Sequence, residues 1–154
     1  YWEQIKAGQR TLTSFAKIRK ALLGDIQEYN VTEIYAHNMR FDWGALTNTQ
    51  RWLTKSKYRY FFPKDIMICD TLKMARQVMP NIPMFARFCE VNGFVTKNNK
   101  PQLTAEVLYR RITKAVDFVE SHNGLEEVLI EKEIFSYFVR QGFFKKIEKT
   151  CFKR

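Results

Sequence analysis

Ile66-Met67-Ile68-Cys69-Asp70-Thr71 carries the pattern of a buried strand running into a helix. Four apolar residues follow one another without the alternation of a half-exposed strand, which predicts burial on both faces, as in a parallel sheet covered by helices. Asp70 then stands where a helix N-cap belongs, ahead of Leu72, Ala75, Val78 and Met79, with Pro80 as a stop. Working upstream, residues 31–37 repeat the theme: Val31, Ile34 and Ala36 mark a short strand that ends in His37-Asn38. Residues 41–53 resume helical spacing, with Phe41, Leu46, Trp52 and Leu53 as the expected core positions. Strand followed by helix therefore occurs twice in succession, and the class is α/β.

Outside these units the chain reads mainly as helix. Residues 11–29 carry Leu12, Phe15, Ile18, Leu22, Leu23 and Ile26 at three- and four-residue steps, with Thr11 or Thr13 as the expected cap. Residues 83–92 predict a short helix closed by Gly93, and the Lys- and Asn-rich residues 96–102 a loop. Thr104 caps a further helix, which 115–120 continues or restarts. A last amphipathic helix spans about 125–140 and ends near Gly142, leaving a basic tail over 145–154 that reads as a solvated helix end. No repeat, low-complexity tract or linker divides residues 1–154, so a single helix-rich domain with few strands is expected.

Composition narrows the partners. Lys+Arg 26 against Asp+Glu 16 gives a net charge of +10, which favours polyanions and makes nucleic acid the first candidate. No apolar run approaches a membrane span, and the first residues do not read as a signal peptide, so a soluble cytoplasmic protein is expected. Cys69, Cys89 and Cys151 are odd in number, widely spaced and without a CxxC pair, which predicts free thiols in a reducing compartment. The basic aromatic segment 55–64, with Tyr58, Tyr60, Phe61 and Phe62 among Lys55, Lys57, Arg59 and Lys64, supports two readings. It is either a surface that stacks bases and tracks phosphates or the ordinary entry to a buried strand.

The residues able to do chemistry lie in two distant stretches. Asp42 follows a strand end, where open α/β sheets place their ligands, although an aspartate there also serves as a helix cap. In Ser121-His122-Asn123-Gly124-Leu125-Glu126-Glu127, the imidazole of His122 and the carboxylate of Glu127 project from the start of one helix. Carboxylates that converge on hard divalent ions about 4 Å apart, with a base beside them, are what phosphodiester hydrolysis by two metals requires.

These stretches, in this order, resemble the DnaQ-like 3′ to 5′ exonucleases of the ribonuclease H-like superfamily, in the group with a histidine in the third motif. Ala36-His37-Asn38-Met39-Arg40-Phe41-Asp42 is similar to the family's second motif, and His122-Asn123-Gly124-Leu125-Glu126-Glu127 to its third. Cys69-Asp70-Thr71-Leu72-Lys73-Met74-Ala75-Arg76 looks like the family stretch after the middle strand, in which the aspartate caps a helix rather than binding metal. The resemblance covers nearly the whole chain. It implies a ribonuclease H-like exonuclease fold in which His122 is the general base, Asp42 and Glu127 hold Mg2+ or Mn2+, and Asn38 and Arg40 contact nucleic acid, with single-stranded 3′ ends as substrate.

Two departures accompany it. Position 127 carries glutamate where the family has aspartate, and nothing ahead of Thr11 has the Asp-x-Glu strand of the first motif, which supplies two of the family's four carboxylates. The resemblance thus implies an N-terminally truncated form of the fold, inactive or weak as this chain alone, with a bare strand edge open to homodimerisation. The chain begins at Tyr1 rather than Met, so a longer native protein is a second expectation, and a first helix repacked over the gap a third. The reading from another class is a non-catalytic nucleic-acid-binding or assembly module descended from such an enzyme.

Overall fold

A computed structural model describes residues 2–121, 123–142 and 150–153. Both strand-then-helix units form as expected. Strand β1 (Glu33–Ala36) leads into helix α3 (Met39–Thr54), and β2 (Met67–Asp70) leads into α4 (Thr71–Val78). Ahead of them lie a short helix α1 (Trp2–Lys6) and α2 (Phe15–Glu28). Behind them come a 3-10 turn (Met79–Asn81), α5 (Pro83–Val91), α6 (Ala105–Thr113) and α7 (Gly124–Arg140). Strand β3 (Cys151–Lys153) closes the described chain. The molecule is a helix-rich α/β protein built on a three-stranded open sheet.

The sheet order is β1-β2-β3. Strand β1 pairs parallel to β2 with Ile34 opposite Ile68, and β3 pairs antiparallel to β2 with Phe152 opposite Ile68 and Cys151 opposite Cys69. Successive strand side chains point to opposite faces. Ile34, Ala36, Ile68 and Phe152 accordingly join one cluster with Met39, Phe61, Phe62 and Ile66, packed beneath α2 and α3. Tyr35 and Cys151 face the larger cluster on the other side, where Met74, Phe85, Leu108, Ile134 and Phe138 interlock α4 to α7. Helices on both faces explain why β2 lacks alternation: Ile68 is 1% and Cys69 0% exposed, although they point in opposite directions.

Aspartate at position 70 is the cap the sequence calls for. Its Oδ1 accepts from the backbone N–H groups of Leu72 at 2.9 Å and Lys73 at 3.2 Å. The same oxygen accepts from the N–H of Asn38 at 3.3 Å, so one buried carboxylate ties the turn after β1 to the turn after β2. Asp70→Ala removes the cap and leaves these donors without it, and is expected to cost roughly 2 kcal/mol in urea unfolding. Asp70→Asn, which retains an acceptor oxygen, should recover most of that loss. Thr104 caps α6 as expected, accepting from Val107 N–H at 3.3 Å.

Several expectations are corrected. Ser14, rather than Thr11 or Thr13, caps α2, and Leu12 precedes the helix with 72% of its surface exposed. Phe41, Trp52 and Leu53 are exposed at 70%, 77% and 49% rather than in the core. The buried side of α3 is instead Met39, Thr47 and Gln50, with Trp43 and Leu46 packed against the core. Residues 115–120 do not extend α6, because Lys114 takes a left-handed backbone with φ 62° and ends it. The loop over 96–102 is closed at its base by an antiparallel bridge between Val95 and Pro101. The tail over 145–154 is not simply a solvated helix end, since Cys151–Lys153 is the third strand; residues 145–149 and 154 lie outside the described residues.

The reading of three free thiols is also overturned. Direct cross-strand register between β2 and β3 places Cys69 opposite Cys151, and the two form a disulfide across 82 residues of sequence. The argument from free thiols to a reducing compartment falls with it. Cys89 is the free cysteine among the described residues; burial pushes its thiol up to about 11, which keeps it protonated and unreactive at neutral pH. Among the described residues no helix is long and apolar enough to cross a membrane.

Candidate acidic site

Past the carboxyl end of β1 the chain turns into α3, and His37 and Asn38 of that turn form one wall of a cavity of about 220 Å3. Asp42 enters it from the first turn of α3. Glu127 enters from the first turn of α7, together with Glu131 one turn further on and Glu120 from the segment before that helix. His37, Asn38, Phe41 and Ala105 complete the lining. Residues 42 and 127, 85 positions apart in sequence, therefore face a common space.

The local sequence explains which carboxylates reach it. Asn123 caps α7 by accepting from Leu125 N–H at 3.2 Å, and Arg10 holds the same oxygen at 3.0 Å. Glu126 turns back to accept from the N–H of Ser121 at 2.7 Å and from its hydroxyl. Its neighbour Glu127 lies about 100° further round the helix and faces the cavity instead. Glu131 follows at the i+4 position and accepts from the backbone N–H of His37 at 2.9 Å, which docks α7 onto the end of β1.

Electrostatics mark the same cluster. Asp42 is held above the usual carboxylate range chiefly by burial, with the nearby charges of Glu127 and Asp70 pushing the same way against a bond from its own backbone N–H. Glu131 is raised first by burial, then by Asp42, Glu127 and Glu120, while the bond from His37 opposes the shift. His37 is shifted down, mostly by burial. Its Nε2 lies 2.7 Å from the carbonyl oxygen of Leu103 and must donate there, so in the neutral ring Nδ1 accepts from the Thr71 hydroxyl at 3.1 Å. Both ring nitrogens are thus engaged in joining β1, α4 and the loop before α6.

Compared with known proteins, the chain matches no family model, no curated sequence and no solved structure. The case for a site accordingly rests on the residues themselves. Asp42 and Glu127 come together as expected. Asn38 sits at the mouth with a left-handed backbone, φ 69°, and lines both the acidic cavity and a shallow neighbouring groove. Arg40 is exposed on that groove, beside Phe41 and Asn48, and not in the acidic cavity. His122 lies outside the described residues.

Glu131, Glu120 and His37 were not expected in the site. Glu131 had a signal, its four-residue spacing from Glu127 on one helix face, and His37 had one in its position at a strand end; Glu120 had none, since only the tertiary fold brings it in. Among the described residues no three His, Cys, Asp or Glu side chains stand in a ready-made metal-binding arrangement. The donor type nonetheless fits a hard divalent cation, because every acidic group lining the cavity offers carboxylate oxygen.

The raised carboxylates have a consequence for stability. A carboxylate whose folded-state pKa is raised binds more protons folded than unfolded, so stability falls as pH climbs from the ordinary value of 4.5 through the raised one. Glu131→Gln removes that penalty and keeps an oxygen acceptor for His37. In EDTA its Tm relative to wild type is therefore expected to rise as pH increases from about 4 to 7. A pH-independent difference in Tm would contradict this.

Proposed function

We propose that the acidic cavity is the cation-binding part of a metal-dependent 3′ to 5′ exonuclease site on a ribonuclease H-like fold. The observation that carries this reading is that Asp42 and Glu127 line one cavity beyond the carboxyl end of β1, close enough for the charge of Glu127 to act on Asp42. Asp42 and Glu127 would hold Mg2+ or Mn2+, with Glu131 as a further carboxylate beside them. Such an ion supplies a polarised phosphodiester and an activated water. A cation would also offset the neighbouring negative charges that add to burial in raising Asp42 and Glu131. The net charge of +10 supports a polyanionic substrate, here a single-stranded 3′ end that reaches the cavity past Asn38 and Arg40.

The test is a 5′-labelled single-stranded oligonucleotide with Mn2+ added. Slow shortening from the 3′ end that needs the metal and disappears in Glu127→Gln supports the proposal. A second reading, a nucleic-acid-binding module without chemistry, is favoured by His37: this imidazole in the cavity wall is committed on both nitrogens to Thr71 and Leu103. Oligonucleotide binding that is weakened by salt, indifferent to EDTA and unaccompanied by shortening would establish that reading instead.

A further inference from the structure

Helix α5 is apolar on two sides. Phe85 and Cys89 are buried in the core, whereas Met84, Phe88 and Val91, spaced i, i+4 and i+7, form a second stripe, in which the half-buried Phe88 also packs against that core. With Val116 that stripe floors a groove of about 390 Å3, and Met84 and Val91 remain 64% and 76% exposed. Its charged lining is of one sign: Arg87 from α5, Arg111 from the last turn of α6 and Lys114 at the end of that helix. Among the described residues no carboxylate lines it.

We propose that this groove docks an acidic peptide segment carrying aliphatic or aromatic side chains. Charge complementarity selects an anionic partner, and the apolar floor requires that partner to insert hydrocarbon between its charges. Met84 supplies an adaptable surface for such side chains. Nucleic acid fits less well, because bases stack on free aromatic faces. The groove's ring, Phe88, already packs on Phe94 at a centroid distance of 5.7 Å and has the Arg111 guanidinium 6.0 Å from its centre. The groove is separate from the acidic cavity. Ala105, at the start of α6, lines the cavity, and Lys114, past its end, lines the groove, which puts roughly 13 Å of helix between them. Docking here therefore does not depend on the exonuclease reading.

Fluorescence anisotropy with a labelled eight-residue peptide of Glu and Leu, at near-physiological salt, tests the proposal. Val91→Asp and Lys114→Glu alter exposed side chains and should leave the circular dichroism spectrum unchanged. Each is expected to weaken the peptide at least about tenfold, and an all-Glu peptide of equal length to bind at least about tenfold less tightly than the Glu/Leu peptide. Equal binding of the all-Glu peptide, or no effect of Val91→Asp, would overturn the proposal. So would competition by a single-stranded oligonucleotide whose own binding is lost in Val91→Asp, which would make the groove a nucleic-acid contact. Concentration-dependent self-association abolished by Val91→Asp would overturn it in favour of a second copy of the chain.

Discussion

Asp42→Asn is expected to reduce manganese-dependent shortening of a 3′ end by about a hundredfold or more, because losing a carboxylate ligand removes several kcal/mol of cation-mediated stabilisation and each 1.4 kcal/mol is tenfold. The variant keeps the size and hydrogen-bonding reach of the side chain at the first turn of α3, so the fold should survive. Oligonucleotide binding in EDTA should be unchanged or slightly tighter, since one negative charge is taken from the surface proposed to meet phosphate. Capping is not the role of Asp42, because Asn38 is the N-cap of α3 and Asp42 lies inside its first turn; the combination separates cation binding from a purely structural carboxylate. If Asp42 served only as a helix-end carboxylate, Asn would substitute for it well, and activity and stability would both stay near wild type.

The second large effect is on stability. The Cys69–Cys151 disulfide closes a loop of 82 residues, and chain-entropy arguments assign such a cross-link about 4 kcal/mol. Reduction, or Cys151→Ser, is therefore expected to lower Tm by roughly 10 °C in a protein of this size. The loss should fall on β3 first, because that strand has three residues and is paired only to β2 among the described residues. Hydrogen exchange would show β3 amides losing protection while β2 keeps that of its pairing with β1. A Tm unaffected by a reductant that demonstrably breaks the bond would contradict this.

Much of the framework was legible in the sequence because local physics agreed with the fold. The apolar run at 66–69, the cap at Asp70 and the cap at Thr104 each state a preference that tertiary structure leaves alone. Helix α3 shows where local reading fails. Phe41, Trp52 and Leu53 look like core by hydrophobicity, yet the side of α3 that packs inward carries Met39 and Leu46, with the polar residues Thr47 and Gln50 buried beside them. Which face of a helix is covered depends on what arrives from elsewhere, here the segment bearing Phe61 and Phe62. Strand β3 was hidden for a related reason: three residues in a basic tail carry almost no periodic signal, and their pairing with β2 is a long-range contact. The cysteine pairing was hidden with it.

The site divides in the same way. Asp42 and Glu127 could be named from their positions after a strand end and at a helix start. Glu131 was reachable from its spacing, but its meeting with His37, 94 residues away, was not. The carboxylates become a cluster only when α7 packs against the end of β1.

A manganese titration followed by the electron paramagnetic resonance signal of free Mn2+ shows whether the cluster of Asp42, Glu127 and Glu131 takes a divalent cation, as proposed. The wild-type chain is expected to deplete the free signal, with affinity falling at least about tenfold in Asp42→Asn and again in Glu127→Gln. Uptake that is absent in the wild type, or equal in all three proteins, would contradict the claim.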